Sequence, residues 1–252
     1  MGGAGAAASG GDQVIGRGLG LALGAIGLAG GLSAALVPAD AAPARKAPAA
    51  RPAPARDWTR TIVQTPEGGY RMGNPAAPVK LVEYGSLTCP HCADFSAGAK
   101  AGLEAKVRTG KVSYEFRNFV LNGIDVAATL VARCASPANY FRLTENLYAT
   151  QKQWVGRISG LSQAEKDKLK ALPEGERLGR LADIGGLTQL AARAGVTPQR
   201  AKACLTDPAG LARLEKIAEA AEAQGVSGTP TFFVNGANVG TGDWAYVESF
   251  LQ

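Results

Sequence analysis

Histidine is almost absent, since His91 is the only one in 252 residues, and cysteine is scarce, with Cys89, Cys92, Cys134 and Cys204 the whole supply. A structural zinc site needs four ligands at short spacings. Cys134 and Cys204 stand far from the other two and no second histidine can help, so no metal is expected. Charge of one sign is not concentrated either. The formal net charge is +6, but half of the excess falls in residues 1–56, and the rest is spread without a basic run interleaved with aromatics. That distribution leaves nucleic acid without support as a partner. With 46% hydrophobic and 19% charged residues, wholesale disorder is excluded as well.

Charge is missing altogether from residues 18–39, a 22-residue stretch that follows Arg17 and ends in Pro38-Ala39-Asp40-Ala41. A basic residue, an apolar stretch and a small-x-small end are the three regions of a secretory signal, here residues 1–41, with cleavage after Ala41 or Ala42. The same stretch is long enough to cross a bilayer, although its six glycines weaken a helix, so an uncleaved membrane anchor is the alternative. Residues 42–56 contain only Ala, Pro, Arg and Lys. They cannot bury a core and are expected to form a stiff, extended linker. The remaining chain, 57–252, reads as one domain outside the cytoplasm: periplasmic or otherwise extracytoplasmic, and either soluble after cleavage or tethered by residues 18–39. In such a compartment disulfides persist.

The cysteines are unevenly spaced, three positions apart in one pair and 70 in the other, which assigns them different jobs. Val79 to Tyr84 is rich in β-formers. Cys92 to Val107 has Phe95, Leu103 and Ala105 among polar positions, with Gly110 as a stop, and Lys111 to Phe116 alternates as a strand does. The expected unit is strand, helix, strand, with a parallel pair and a right-handed crossover.

Pro90 suits the first helical turn and puts Cys89 at the helix N-terminus, where unpaired N–H groups and the helix dipole stabilise a thiolate. Cys89 is therefore the expected nucleophile. Cys92, one turn further in, is the resolving thiol, and His91 can favour the thiolate by charge or hydrogen bonding. A haem attachment needs histidine after the second cysteine, and here Ala93 follows. A purely structural bond between Cys89 and Cys92 closes almost no loop and is a poor staple.

Toward the C-terminus, Thr229-Pro230 stands immediately before the apolar run Thr231 to Val234, and Asn235-Gly236 marks a hairpin turn. A cis Thr229-Pro230 bond would present backbone groups beside Cys89, whereas a trans proline in a surface turn is the ordinary alternative.

Glu83-Tyr84-Gly85-Ser86-Leu87-Thr88-Cys89-Pro90-His91-Cys92, together with Gly228-Thr229-Pro230-Thr231-Phe232, resembles the DsbA family of thiol:disulfide oxidoreductases. The resemblance runs from about Val79 to the C-terminus. It implies an α/β thioredoxin fold with an inserted all-helical domain, here at about 122–205. It further implies Cys89 as the attacking thiol, Cys92 as its partner, and Thr229-Pro230 as a cis pair lining a substrate groove. Glu83 matches a buried acid with a proton-relay role, the alternative being a surface strand carboxylate. A strongly depressed cysteine pKa comes from the resemblance, as does reoxidation by a membrane-bound, quinone-linked DsbB-like partner. No cofactor is implied beyond the redox-active Cys89/Cys92 disulfide.

Residues 124–205 show repeated helix punctuation: Ser136-Pro137 and Thr197-Pro198 as cap and first-turn proline, and a capping box at Ser162 to Glu165. Asp207-Pro208 opens a longer helix with Leu211, Leu214, Ala218 and Ala221 on one face, and an amphipathic stretch from Asp243 gathers Trp244, Val247 and Leu251. Tyr140, Tyr148 and Trp154 read as core. Cys134 and Cys204 are expected to form a second, structural disulfide, two buried free thiols being the alternative. The function expected is a monomeric oxidase that introduces disulfides into reduced, unfolded exported proteins. A reductase or isomerase on the same fold and a chaperone-like binding module are the alternatives.

Overall fold

The computed structural model describes residues 56–252. The signal or anchor expected in 1–41, and the linker at 42–56 apart from Arg56, therefore lie outside the described residues. A six-stranded sheet forms the frame, made of β1 (Ile62–Gln64), β2 (Tyr70–Gly73), β3 (Val79–Gly85), β4 (Val112–Asn118), β5 (Thr231–Val234) and β6 (Ala237–Gly240), in the order β1-β2-β4-β3-β5-β6. Only β3 and β4 run parallel, from Val79 opposite Val112 to Gly85 opposite Asn118; the other neighbours are antiparallel.

That parallel pair needs a crossover, and α1 (Pro90–Arg108) supplies it. Pro90 occupies the first turn, where its missing N–H costs nothing, and Cys92, Phe95, Ala99, Leu103 and Val107 form the buried stripe laid on the sheet. Gly110 takes φ 77° and meets the Trp58 ring so closely that a Cβ would stand 2.6 Å from Nε1, so this stop must be glycine. On the same side of the sheet, Leu81 and Glu83 of β3 stand opposite Tyr114 and Phe116 of β4, and Glu83 thereby becomes an acid in an apolar layer.

Between β4 and α9 (Pro208–Glu222) come seven helices: α2 (Gly123–Arg133), α3 (Pro137–Ala149), α4 (Gln151–Ser159), α5 (Gln163–Lys170), α6 (Glu174–Gly185), α7 (Leu187–Arg193) and α8 (Pro198–Leu205). This is a thioredoxin fold carrying an inserted helical layer. Ser162 and Glu165 complete a reciprocal capping box on α5, and Thr197 caps α8 through Arg200 N–H. Ser136 begins α3 without a side-chain cap bond, leaving Pro137 to set the start. Tyr140, Tyr148 and Trp154 are buried, in one continuous core with the sheet.

Cys134 and Cys204 are joined by a disulfide. Cys134 lies just past the end of α2 as its C-cap. β1 and β2 had no sequence signal. β2 pairs with β4 and carries Tyr70, which stacks on Tyr140 at 3.6 Å between ring centroids and so binds the sheet to the insertion. The last helix, α10 (Trp244–Glu248), is capped by Asp243 and ends before Leu251, which is buried beyond it.

Candidate active site

Cys89 caps α1 with extended backbone, φ −80° and ψ 121°, and its thiol donates to the Thr229 carbonyl at 3.2 Å. The Cys92 thiol, fully buried one turn into α1, donates to the Cys89 sulfur, and this bond is the first reason that the Cys89 pKa falls from 9.0 to about 5. Burial opposes the fall. The Thr229 side chain and the backbone N–H groups of Cys92 and His91 add to it. The Thr229 hydroxyl is buried without a hydrogen-bond partner.

Cys92 is pushed the other way, far above an ordinary thiol, because its proton is held by Cys89, it is desolvated, and Glu83 stands near it. One thiol of the pair is thus an anion at neutral pH and the other keeps its proton. His91 is exposed. Its backbone N–H helps hold the thiolate, while its imidazole makes no hydrogen bond there.

The structure places Thr229-Pro230 as a cis pair facing Cys89, with Thr231 Oγ1 donating to the Gly228 carbonyl to fix the turn. Glu83 is buried at 2% exposure and accepts from Tyr114 Oη at 2.6 Å. Burial, partly offset by that bond, raises its pKa from 4.5 to about 8, so the carboxyl is mostly protonated at neutral pH. The surface-carboxylate alternative does not describe this position.

Three site residues escaped the sequence reading. Asp125 of α2, fully buried, accepts from the N–H groups of Leu87 and Leu121; burial raises its pKa to about 6. Tyr148 of α3 donates to the Ser86 carbonyl, and Gln151 of α4 donates to the carbonyls of Leu87 and Cys89. Asp125 carried a weak signal as an acid in the first turn after Asn122. Gln151 carried none, since it meets Cys89 across 62 positions.

Beside the thiols, Phe95, Pro230 and Trp244, with His91 and Asp94 at the rim, line an open cavity of about 500 Å³. Tyr246 and Phe250, on and just past α10, are exposed beyond it, and Leu121 is exposed next to Asn122, which bonds Thr88. A larger cavity of about 690 Å³ lies over the opposite sheet face, floored by Val82, Tyr84 and Phe233, and contains neither thiol. Among the described residues no group of three or more His, Cys, Asp or Glu side chains converges as metal ligands would.

A family profile described as Thioredoxin matches residues 65–252, and solved DsbA-like structures share the fold. The chain belongs to the thioredoxin family. A protein-disulfide isomerase of Novosphingobium aromaticivorans is 32% identical, with 71% of this chain covering 93% of that one at a TM-score of 0.66. Wolbachia pipientis alpha-DsbA1, 22% identical, shares the fold at a TM-score of 0.58 over 73% of this chain and 88% of its own. A Rickettsia bellii protein described as "Putative protein-disulfide oxidoreductase" is 32% identical over 180 residues, 68% of this chain. The chain spans 58% of that relative's length, so it matches only part of the Rickettsia protein.

Proposed function

We propose that this chain is an exported protein-disulfide oxidoreductase of the dithiol oxidase type, acting on reduced, unfolded polypeptides. The opposed titration of the two thiols carries the reading. In the oxidised enzyme a substrate thiolate attacks Cys89 Sγ, the Cys89–Cys92 bond breaks, and Cys92 departs with the electron pair. Its high proton affinity requires a proton at that moment, and the largely protonated Glu83 is the buried acid placed to give one.

A second substrate thiolate then attacks the substrate sulfur of the mixed disulfide, closing the substrate disulfide and expelling Cys89 as a thiolate. A thiol of low pKa is a good leaving group, which favours this direction. Two electrons pass from substrate to enzyme; one of the two thiol protons ends on Cys92 by way of Glu83, and the other goes to solvent because Cys89 leaves as a thiolate. The open cavity at Phe95, Pro230 and Trp244 suits an extended, unfolded chain. The Cys89/Cys92 pair serves as the only redox group, and a membrane quinone-linked partner of the DsbB kind, acting outside the cytoplasm, would restore the disulfide.

The direct test mixes the oxidised protein with reduced, unfolded ribonuclease A. Stoichiometric loss of substrate thiols is expected, and Cys92→Ala should be trapped as a mixed disulfide at Cys89 when its Cys89 thiolate attacks disulfide-bonded, scrambled ribonuclease. No thiol loss, or client protection unchanged in Cys89→Ser, would assign the protein to a binding role. A second reading, isomerase, draws on the name of the Novosphingobium relative; faster repair of scrambled than of reduced ribonuclease would favour it.

A further inference from the structure

The helical insertion does more than cover the sheet, because three of its side chains converge on the segment 86–89 that ends in the nucleophile. Tyr148 Oη reaches the Ser86 carbonyl at 3.2 Å, Asp125 Oδ1 takes the Leu87 N–H at 3.0 Å, and Gln151 Nε2 spans the Leu87 carbonyl at 2.8 Å and the Cys89 carbonyl at 2.9 Å. Of the three, only Gln151 touches the residue that bears the reactive sulfur.

Gln151 is buried at 4% exposure, and a buried amide with both protons committed cannot turn away without leaving donors or acceptors unmatched. The Cys89 carbonyl already accepts from Ala93 N–H at 3.2 Å, the first bond of α1. A second donor at the same oxygen fixes the Cys89–Pro90 peptide plane, and with it the ψ angle that decides how Sγ faces the N–H groups of His91 and Cys92. Pro90 cannot contribute a donor of its own.

We propose that Gln151 is a positioning residue for the thiol chemistry: from the insertion it holds the Leu87–Cys89 backbone so that the Cys89 sulfur stays aligned with the start of α1 and with the cis Thr229-Pro230 turn. The proposal deepens the oxidoreductase reading and rests on it for its catalytic meaning, although the alignment itself is measurable in the resting thiol. In Gln151→Leu the Leu87 carbonyl loses its donor inside the protein. The segment must move toward water to satisfy it, which carries Cys89 away from its stabilising groups.

The experiment follows the Cys89 thiolate of the reduced protein by its ultraviolet absorbance and by its rate of alkylation with iodoacetamide, from pH 3 to 9. In Gln151→Leu the Cys89 midpoint is expected to rise by about one unit, a tenfold lower thiolate-to-thiol ratio at a given acidic pH. Gln151→Glu keeps the shape and stays readable if the leucine variant does not fold. Its carboxyl can donate one bond when protonated and none when ionised, so the variant should sit near the wild type at low pH and lose reactivity as it ionises.

On the unaltered protein, the Gln151 side-chain amide protons should exchange slowly and shift in step with the Cys89 titration. A purely structural glutamine would lower the unfolding midpoint and leave the Cys89 titration of the folded variants where it is. That result, or amide protons that exchange freely and stay flat through the titration, overturns the proposal. Failure of the functional reading looks different: ribonuclease oxidation is absent while the substitutions still move the Cys89 midpoint.

Discussion

Two cysteine pairs occupy this one domain, and their surroundings give them opposite characters. Cys134 and Cys204 lie 70 residues apart, bonded between the end of α2 and the short helix α8, and tie distant parts of the insertion together. Cys89 and Cys92 are three apart, unbonded, and set at a helix start where N–H donors are unspent. A bond across the first pair constrains a long loop; a bond across the second constrains almost nothing and is free to be made and broken. The lesson is that loop length and local electrostatics, not the presence of cysteine, divide staple from reagent.

The sharpest way to break that contrast is to exchange the losses. Cys89→Ser should reduce thiol exchange to the uncatalysed rate while leaving the fold intact, whereas Cys134→Ala with Cys204→Ala should keep exchange near the wild-type rate. The second change should instead remove about 2–4 kcal/mol of stability, read by denaturant unfolding under non-reducing conditions. A double variant as stable as the wild type, or one without exchange activity, would dissolve the division.

Acidity sharpens the comparison further. The folded pKa of Cys89 lies below its unfolded value, so its thiolate stabilises the reduced fold fully above about pH 9 and loses that contribution as pH falls toward about 5. The staple pair does not titrate. The stability of the reduced protein relative to the oxidised one should therefore rise with pH across that window.

Glu83 acts in the opposite sense. Its folded pKa is raised, so the fold is favoured below about 4.5 and progressively loses that preference up to about 8, by at most about 1.4 kcal/mol per pH unit. Glu83→Gln should flatten this slope and gain stability at pH 8 relative to the wild type, by thermal or denaturant unfolding. In rapid-mixing assays it should also slow the departure of Cys92. An unchanged pH slope in Glu83→Gln would remove Glu83 from the proton path.

The sequence was most legible where one local rule governs one local element. β3 follows from its run of β-formers, α1 from a first-turn proline and a glycine stop, and β4 from alternation, while the capping box on α5 and the Asn235-Gly236 turn follow from short-range chemistry. β1 and β2 were illegible because Ile62–Gln64 is only three residues long and Tyr70–Gly73 ends in glycine; pairing with β4 makes them strands.

The site divides the same way. Cys89, Pro90 and Cys92 announce themselves through spacing at a helix start, and Glu83 stood out only through resemblance to a family. Asp125 left only a weak first-turn signal, and Tyr148 and Gln151 left none as site residues, because each matters through a hydrogen bond to a residue 38 to 64 positions away. Such bonds are set by how the insertion docks, which no local pattern encodes.

The most direct measurement is the redox equilibrium of the Cys89/Cys92 pair against glutathione buffers, with thiol trapping and mass detection of the peptide that holds both cysteines. Because each unit by which Cys89 is acidified favours the reduced form by about 30 mV, the expected potential lies well above the roughly −270 mV of the thioredoxin class. A potential at or below −270 mV would contradict the oxidase assignment and leave an electron-donating reductase as the function of the same two thiols.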